Sequence, residues 1–244
     1  GYEALIRWNH PTKGMVMPND FIPIAEATGL IIQLGEWVIR TALHELKNWP
    51  EHLNVSVNLS PAQMRSPNLL STIINGLASA GVEPHRLELE ITETVIMSHN
   101  QSNFDLLNKI HSLGVQIALD DFGTGYSSLN YLRSFPFNKI KIDRCFVEEV
   151  ESREDCQAII RAVTGLATSL GMVTTAEGIE RDDQLLQVKR AGCKQVQGYL
   201  FSKPIPASAI TGRIVKTPKP VTSLDHIGKS NPGIPFDYER RKIG

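Results

Sequence analysis

The chain has 244 residues, 41% of them hydrophobic and 21% charged, a globular composition with enough length to bury a sizeable core. Twenty-five Lys and Arg against 26 Asp and Glu leave a net charge of −1, which excludes holding DNA by bulk phosphate attraction. Cys145, Cys156 and Cys193 are too few and too scattered for a disulfide framework or a thiolate zinc site, and read as packing thiols in a reducing compartment. No apolar run approaches the roughly 20 residues of a membrane span. The opening residues carry no basic segment of a signal peptide, so the chain reads as soluble and cytoplasmic, or as the cytoplasmic side of a longer anchored protein.

Short apolar or β-branched runs alternate with segments of helical period. In chain order the pattern predicts a strand at residues 2–8, helices at 19–34 and 35–49, and a strand at 55–59. A helix at 61–80 follows, with Ser60 and Pro61 as its start signal. Next come a strand at 87–92, a helix at 101–113, and strands at 116–121 and 139–143. The series closes with a helix at 153–170, a strand at 173–177, a helix at 182–191, a strand at 195–201 and a helix at 207–215. Gly81, Gly114, Gly171 and Gly192 each end a helical stretch just before a strand, as left-handed caps do. The pattern is that of an α/β chain, either a (β/α)8 barrel or a doubly wound sheet. Seven strands are countable where a barrel needs eight, and the shortfall is placed before Gly1. Residues 1–215 are therefore taken as the barrel and residues 216–244 as a tail outside it. From residue 217 onward five Lys and Arg stand against three Asp and Glu, so the tail is basic and the body acidic.

The carboxylates are placed unusually. Parallel strands are covered on both faces and normally apolar, yet Glu3, Glu90, Asp120, Asp121 and Glu177 fall in or at the ends of four predicted strands, with Asn58 and Lys141 in two others. In a parallel barrel those ends meet at one mouth. Carboxylates with one amide oxygen suit hard divalent cations such as Mg²⁺ or Mn²⁺. The adjacent Asp120 and Asp121 could serve two ions about 3.5–4 Å apart, a pair that activates water and clamps a phosphoryl group. Lys141 would meet the charge that develops on phosphate oxygens. Singly, each residue has a plainer reading: Asp120 a cap or turn residue, Asn58 a cap, Lys139 and Lys141 solvated lysines, and Glu88 a rim residue facing water. Only their recurrence at successive strands favours a site. Walker, HExxH and Gly-x-Ser-x-Gly patterns do not occur.

Several runs resemble the EAL domain, the bacterial phosphodiesterase of cyclic di-GMP. They are Glu3-Ala4-Leu5, Val57-Asn58-Leu59-Ser60, Leu89-Glu90-Ile91-Thr92-Glu93, the ten residues from Asp120 to Leu129, Lys141-Ile142-Asp143-Arg144, Ala176-Glu177-Gly178 and Gln197-Gly198-Tyr199. The resemblance covers residues 1 to about 215 and implies a TIM-like barrel, apparently lacking its first strand, that hydrolyses cyclic di-GMP to linear pGpG with two Mg²⁺ or Mn²⁺ ions. It implies that Glu3, Asn58, Glu90 and Asp120 hold one ion and Asp120 and Asp121 the second. Glu177 would act as general base or metal ligand, and Lys141 as partner of the attacking water and the phosphate. Arg7, Gln197 and Glu180 would line the substrate, and Glu93 would fix the loop after Asp121, residues 122–128, a mobile gate. Family members commonly form homodimers and follow a GGDEF or sensory domain. The alternative is a receptor that binds cyclic di-GMP and signals without cleaving it.

Overall fold

The computed structural model describes residues 1–97, 101–123, 129–210 and 237–243. Strand β1 (Tyr2–Ala4) is followed by a hairpin of β2 (Trp8–His10) and β3 (Gly14–Val16), then helices α1 (Pro18–Thr28) and α2 (Leu30–Leu46). Next come β4 (Val55–Asn58), α3 (Pro61–Met64), α4 (Leu69–Ala80), β5 (Leu87–Thr92), α5 (Glu93–Met97), α6 (Gln101–Ser112) and β6 (Gln116–Phe122). The chain continues through α7 (Leu129–Ser134), β7 (Lys139–Ile142), α8 (Arg144–Glu148), α9 (Glu154–Ser169), β8 (Val173–Ala176), α10 (Asp182–Arg190) and β9 (Gln195–Gln197), and ends in β10 (Asp237–Ile243). Eight parallel strands form a closed barrel in the order β1-β10-β9-β8-β7-β6-β5-β4.

Each of the seven predicted strand regions contains a barrel strand, and the barrel alternative holds over the open sheet. The hairpin of β2 and β3 was not foreseen. Two predicted helices start and stop differently. The break falls at Gly29 (φ 78°), whose left-handed backbone ends α1, and Gly35 stays buried inside α2 with its missing side chain giving room to Gln63. Pro67 divides residues 61–80 into α3 and α4, because proline removes a donor from a helix interior. The four predicted glycine caps all adopt positive φ.

Strict alternation in the strands decides which way the barrel is filled. Val55 and Val57, Leu87, Leu89 and Ile91, and Ile140 and Ile142 are buried in one core with Ile39, Leu43 and Leu46 of α2 and Ile73 and Leu77 of α4. Each such side chain contributes about 1.5–3 kcal/mol by leaving water. The intervening residues Ser56, Glu88, Glu90, Lys139 and Lys141 are buried on the other face, inside the barrel. The barrel is thus apolar outside and polar within. Buried Arg86 ties the end of α2 to the start of the sheet by donating to the carbonyl oxygens of Trp49, Pro50 and Leu53.

Residues 216–244 were expected to stand apart, and for Asp237–Ile243 that expectation fails. Strand β10 pairs with β1 (Tyr2 beside Arg241, Glu3 beside Lys242) and with β9 (Arg240 beside Gln197), filling the position where a strand was counted missing. Composition misled here because strand pairing is made by backbone groups. Two open barrel edges present rows of unpaired N–H and C=O that a charged segment satisfies as well as an apolar one. Residues 211–236, including the end of the predicted helix at 207–215, lie outside the described residues; Ala207–Ala209 forms one 3₁₀ turn. Deleting residues 237–244 is expected to lower the melting temperature, at about 2–4 °C for each kcal/mol lost, and to produce concentration-dependent aggregates in sedimentation. An unchanged melt with no aggregation would show that the barrel does not depend on β10.

Candidate active site

Carboxylates from separate strands converge on one ammonium. Lys141 Nζ, 1% exposed, lies 2.6 Å from Glu90 Oε2, 2.8 Å from Glu177 Oε1 and 3.0 Å from Asp120 Oδ1. Glu90 comes from β5, Asp120 from β6 and Lys141 from β7, while Glu177 follows β8 and is anchored by its N–H to the carbonyl of Ile142. Burial alone would lower the Lys141 pKa; Glu177, Glu90 and Asp120 outweigh it and hold the ammonium well above its ordinary value. Burial pushes the Asp120 carboxyl up to about 6, with Lys141 opposing and Glu177, Asp121 and Glu3 adding to the rise. Among the described residues, Lys141 is the ammonium that Glu90, Asp120 and Glu177 share.

A local irregularity brings two successive aspartates to the same place. In a regular strand Asp120 and Asp121 would face opposite sides. The register between β6 and β7 slips instead, Leu119 and Phe122 pairing with Ile140 and Ile142, so β6 carries one extra residue. Asp121 takes φ 53°, a left-handed conformation unusual for a residue with a side chain, and its N–H donates to Asp120 Oδ1 at 3.1 Å. Asp120, Asp121 and Glu177 thereby offer oxygen atoms all within 4.8 Å of one another. Such an all-oxygen donor set fits a hard divalent cation.

The remaining predicted residues surround this group to different degrees. Glu3 accepts from Asn58 Nδ2 at 2.9 Å and from Gln197 Nε2 at 2.6 Å, forming a second polar cluster across β1, β4 and β9. Gln197 Oε1 is buried with no hydrogen-bond donor among the described residues. Glu93 Oε1 accepts from the N–H of Gly123 at 2.9 Å, so it holds the start of the loop after β6; residues 124–128 of the predicted gate lie outside the described residues. Arg7 is half-buried beyond the end of β1, its guanidinium donating to the carbonyl of Ile6. Glu180 is exposed, and its N–H donates to Gln184 Oε1.

Glu88 does not face water as expected. It is 2% exposed, lies 2.5 Å from Lys139 Nζ through Oε2 and accepts from Ser56 Oγ at 2.8 Å. Glu88 alternates with the outward Leu87 and Leu89, and in a closed barrel the inner face is as dry as the outer. Sequence reasoning missed this pair. The matched spacing of Glu88 and Glu90 on one strand, and of Lys139 and Lys141 on another, was the available signal.

The cysteines take no part in these clusters. Burial pushes the Cys193 thiol up to about 12, and burial with the Asp143 carboxylate does the same for Cys145. Iodoacetamide at pH 7 is expected to leave Cys193 unmodified until the chain is unfolded, as mass spectrometry of the two samples would show.

The chain matches the EAL domain family over residues 1–204. It is 52% identical over 207 residues to uncharacterized protein y4lL of Sinorhizobium fredii, covering 85% of this chain and 25% of that protein. It is 39% identical over 218 residues to the bifunctional diguanylate cyclase/cyclic di-GMP phosphodiesterase MucR of Pseudomonas aeruginosa, covering 88% of this chain and 32% of MucR. This chain thus spans only a quarter to a third of these curated relatives. Among solved structures, the PaMucR phosphodiesterase in complex with c-di-GMP superposes with a TM-score of 0.82 at 40% identity, covering 85% of this chain and 86% of that one. The manganese and cyclic di-GMP complex of Klebsiella pneumoniae BlrP1 gives a TM-score of 0.73 at 29% identity, covering 82% and 50%. With its polar-lined parallel barrel, its strand-end acids and a match running through β9, this chain belongs to the EAL domain family.

Proposed function

We propose that this chain hydrolyses cyclic di-GMP to linear pGpG. The observation that carries the reading is the all-oxygen group of Asp120, Asp121 and Glu177 beside the buried Lys141, in a chain whose relative MucR is named a cyclic di-GMP phosphodiesterase. Two divalent cations of the Mg²⁺ or Mn²⁺ class, when bound, supply Lewis acidity and lower the pKa of water. Asp120 and Asp121 would hold both, with Glu3, Asn58 and Glu90 completing the donor set for one of them.

The chain's own residues supply the remaining steps. Arg7 holds a phosphate of the substrate at the mouth, and Gln197 and Glu180 line the site. Glu177 accepts the proton of the attacking water, whose oxygen bonds to phosphorus as the bond to the 3′ oxygen breaks. Lys141 keeps Glu177 oriented at 2.8 Å and carries the positive charge that faces the phosphate oxygens. Glu93 keeps the loop after β6 in place through Gly123. In the cell we place this domain beside a GGDEF or sensory domain, on the cytoplasmic side, and as a homodimer; among the described residues no helix is long and apolar enough to cross a membrane. Chromatography of cyclic di-GMP incubated with the protein, with Mg²⁺ and with chelator, tests the proposal. Metal-dependent appearance of pGpG is expected. Binding of cyclic di-GMP without pGpG would overturn hydrolysis and leave the chain a receptor.

A further inference from the structure

Beneath the site lies a second ion pair that the proposed chemistry does not use. Lys139 and Lys141 share one face of β7, and Glu88 and Glu90 share one face of β5, so two lysine–glutamate pairs stack along the barrel axis. Lys139 is paired with Glu88 at 2.5 Å, and Ser56 Oγ holds the other oxygen of that carboxylate. Residues two apart on a strand are about 6.6 Å apart along it, a distance comparable to the reach of a lysine side chain. A buried ammonium without a partner seeks the nearest carboxylate. Among the described residues, the next acid on that face of β5 is Glu90, a member of the upper group.

We propose that Glu88 is a positioning residue for the cation site: it retains Lys139 in the lower layer, so that Lys141 is the one lysine facing Glu90, Asp120 and Glu177 among the described residues. A second ammonium rising into that group would occupy carboxylate oxygens and repel a divalent cation through a low-dielectric interior. The inference rests on the divalent-cation reading given above. It makes an asymmetric prediction. Removing the acid of the lower pair weakens the cation site, whereas removing its base does not, because no second ammonium is then present to rise into the upper group.

Mn²⁺ titration of the full chain, followed by the electron paramagnetic resonance of free Mn²⁺, tests it without any turnover. Glu88→Gln is expected to bind Mn²⁺ about tenfold more weakly than the unaltered chain. Lys139→Met and the double variant Glu88→Gln/Lys139→Met should bind within about twofold of it. If Glu88→Gln does not fold, Glu88→Asp carries the test: its shorter acid slackens the pair, giving about threefold weaker binding that adding Lys139→Met reverses. Equal Mn²⁺ affinity in the folded acid variant and the unaltered chain would overturn the inference alone, as would equal losses in the two single variants. An unaltered chain that binds no Mn²⁺ would overturn both it and the cation reading.

Discussion

Asp120→Asn is expected to reduce cyclic di-GMP hydrolysis by about 1,000-fold or more while leaving the fold intact. Asparagine is isosteric, and its Oδ1 can still accept from the Asp121 N–H and from Lys141, the two contacts Asp120 makes through that atom. What is lost is negative charge at the position shared by the lysine cluster and the candidate cation group. Burial holds the Asp120 carboxyl up at about 6, so above that pH its charge costs the folded, metal-free chain stability relative to the unfolded one. The metal-free variant should therefore melt no lower than the unaltered chain. It should lose the rise in melting temperature that Mn²⁺ gives the unaltered chain, since a ligand stabilises only the state that binds it. Turnover retained within tenfold would remove Asp120 from the proposed machinery.

Lys141→Met should have the opposite profile in the metal-free chain. The methionine fills similar volume but takes away the ammonium that Glu90, Asp120 and Glu177 share among the described residues. Removing one partner of a buried ionic group typically costs about 3–5 kcal/mol, which for a chain of this length lowers the melting temperature by roughly 6–20 °C. A divalent cation can replace the missing charge, so Mn²⁺ should raise the melting temperature of Lys141→Met more than that of the unaltered chain. Activity should stay low even in the rescued protein, because the positive charge that faces the phosphate oxygens has gone. Calorimetric melts with and without Mn²⁺ decide this. A metal-free melt within about 2 °C of the unaltered chain, less than 1 kcal/mol, would show that the three acids do not depend on Lys141.

Asp120 was visible in the sequence as an acid at the end of a strand, and Lys141 as a charge within a strand covered on both faces. Leu87-Glu88-Leu89-Glu90-Ile91 and Lys139-Ile140-Lys141-Ile142 put a polar residue at every second position of strands that are covered on both sides. That pattern indicates a polar interior once the strands are known to close. The same alternation concealed Glu88, since period two distinguishes inner from outer faces and says nothing of which layer along the axis meets solvent. The gathering of Asp120 and Asp121 depends on the extra residue in β6 and the left-handed backbone at Asp121, which propensity does not reveal. The hairpin of β2 and β3 escaped notice because each strand has only three residues. Strand β10 was hidden by its charges. Its place depends on the edges of β1 and β9, which are absent from any local window.

The position of β10 also bears on how the chain reaches its native state. Tyr2 is paired with Arg241 across one edge and with Val55 across the other, so the last barrel seam joins segments near opposite ends of this sequence. Neighbouring strands from β4 through β9 follow one another along the chain and can pair as they form. Contacts of such long sequence separation form late, because the loop they close must be ordered first. Folding should show a fast phase for the β4–β9 arc and a slower one for the seam. An arc waiting with two unpaired edges is also the species most prone to join its neighbours.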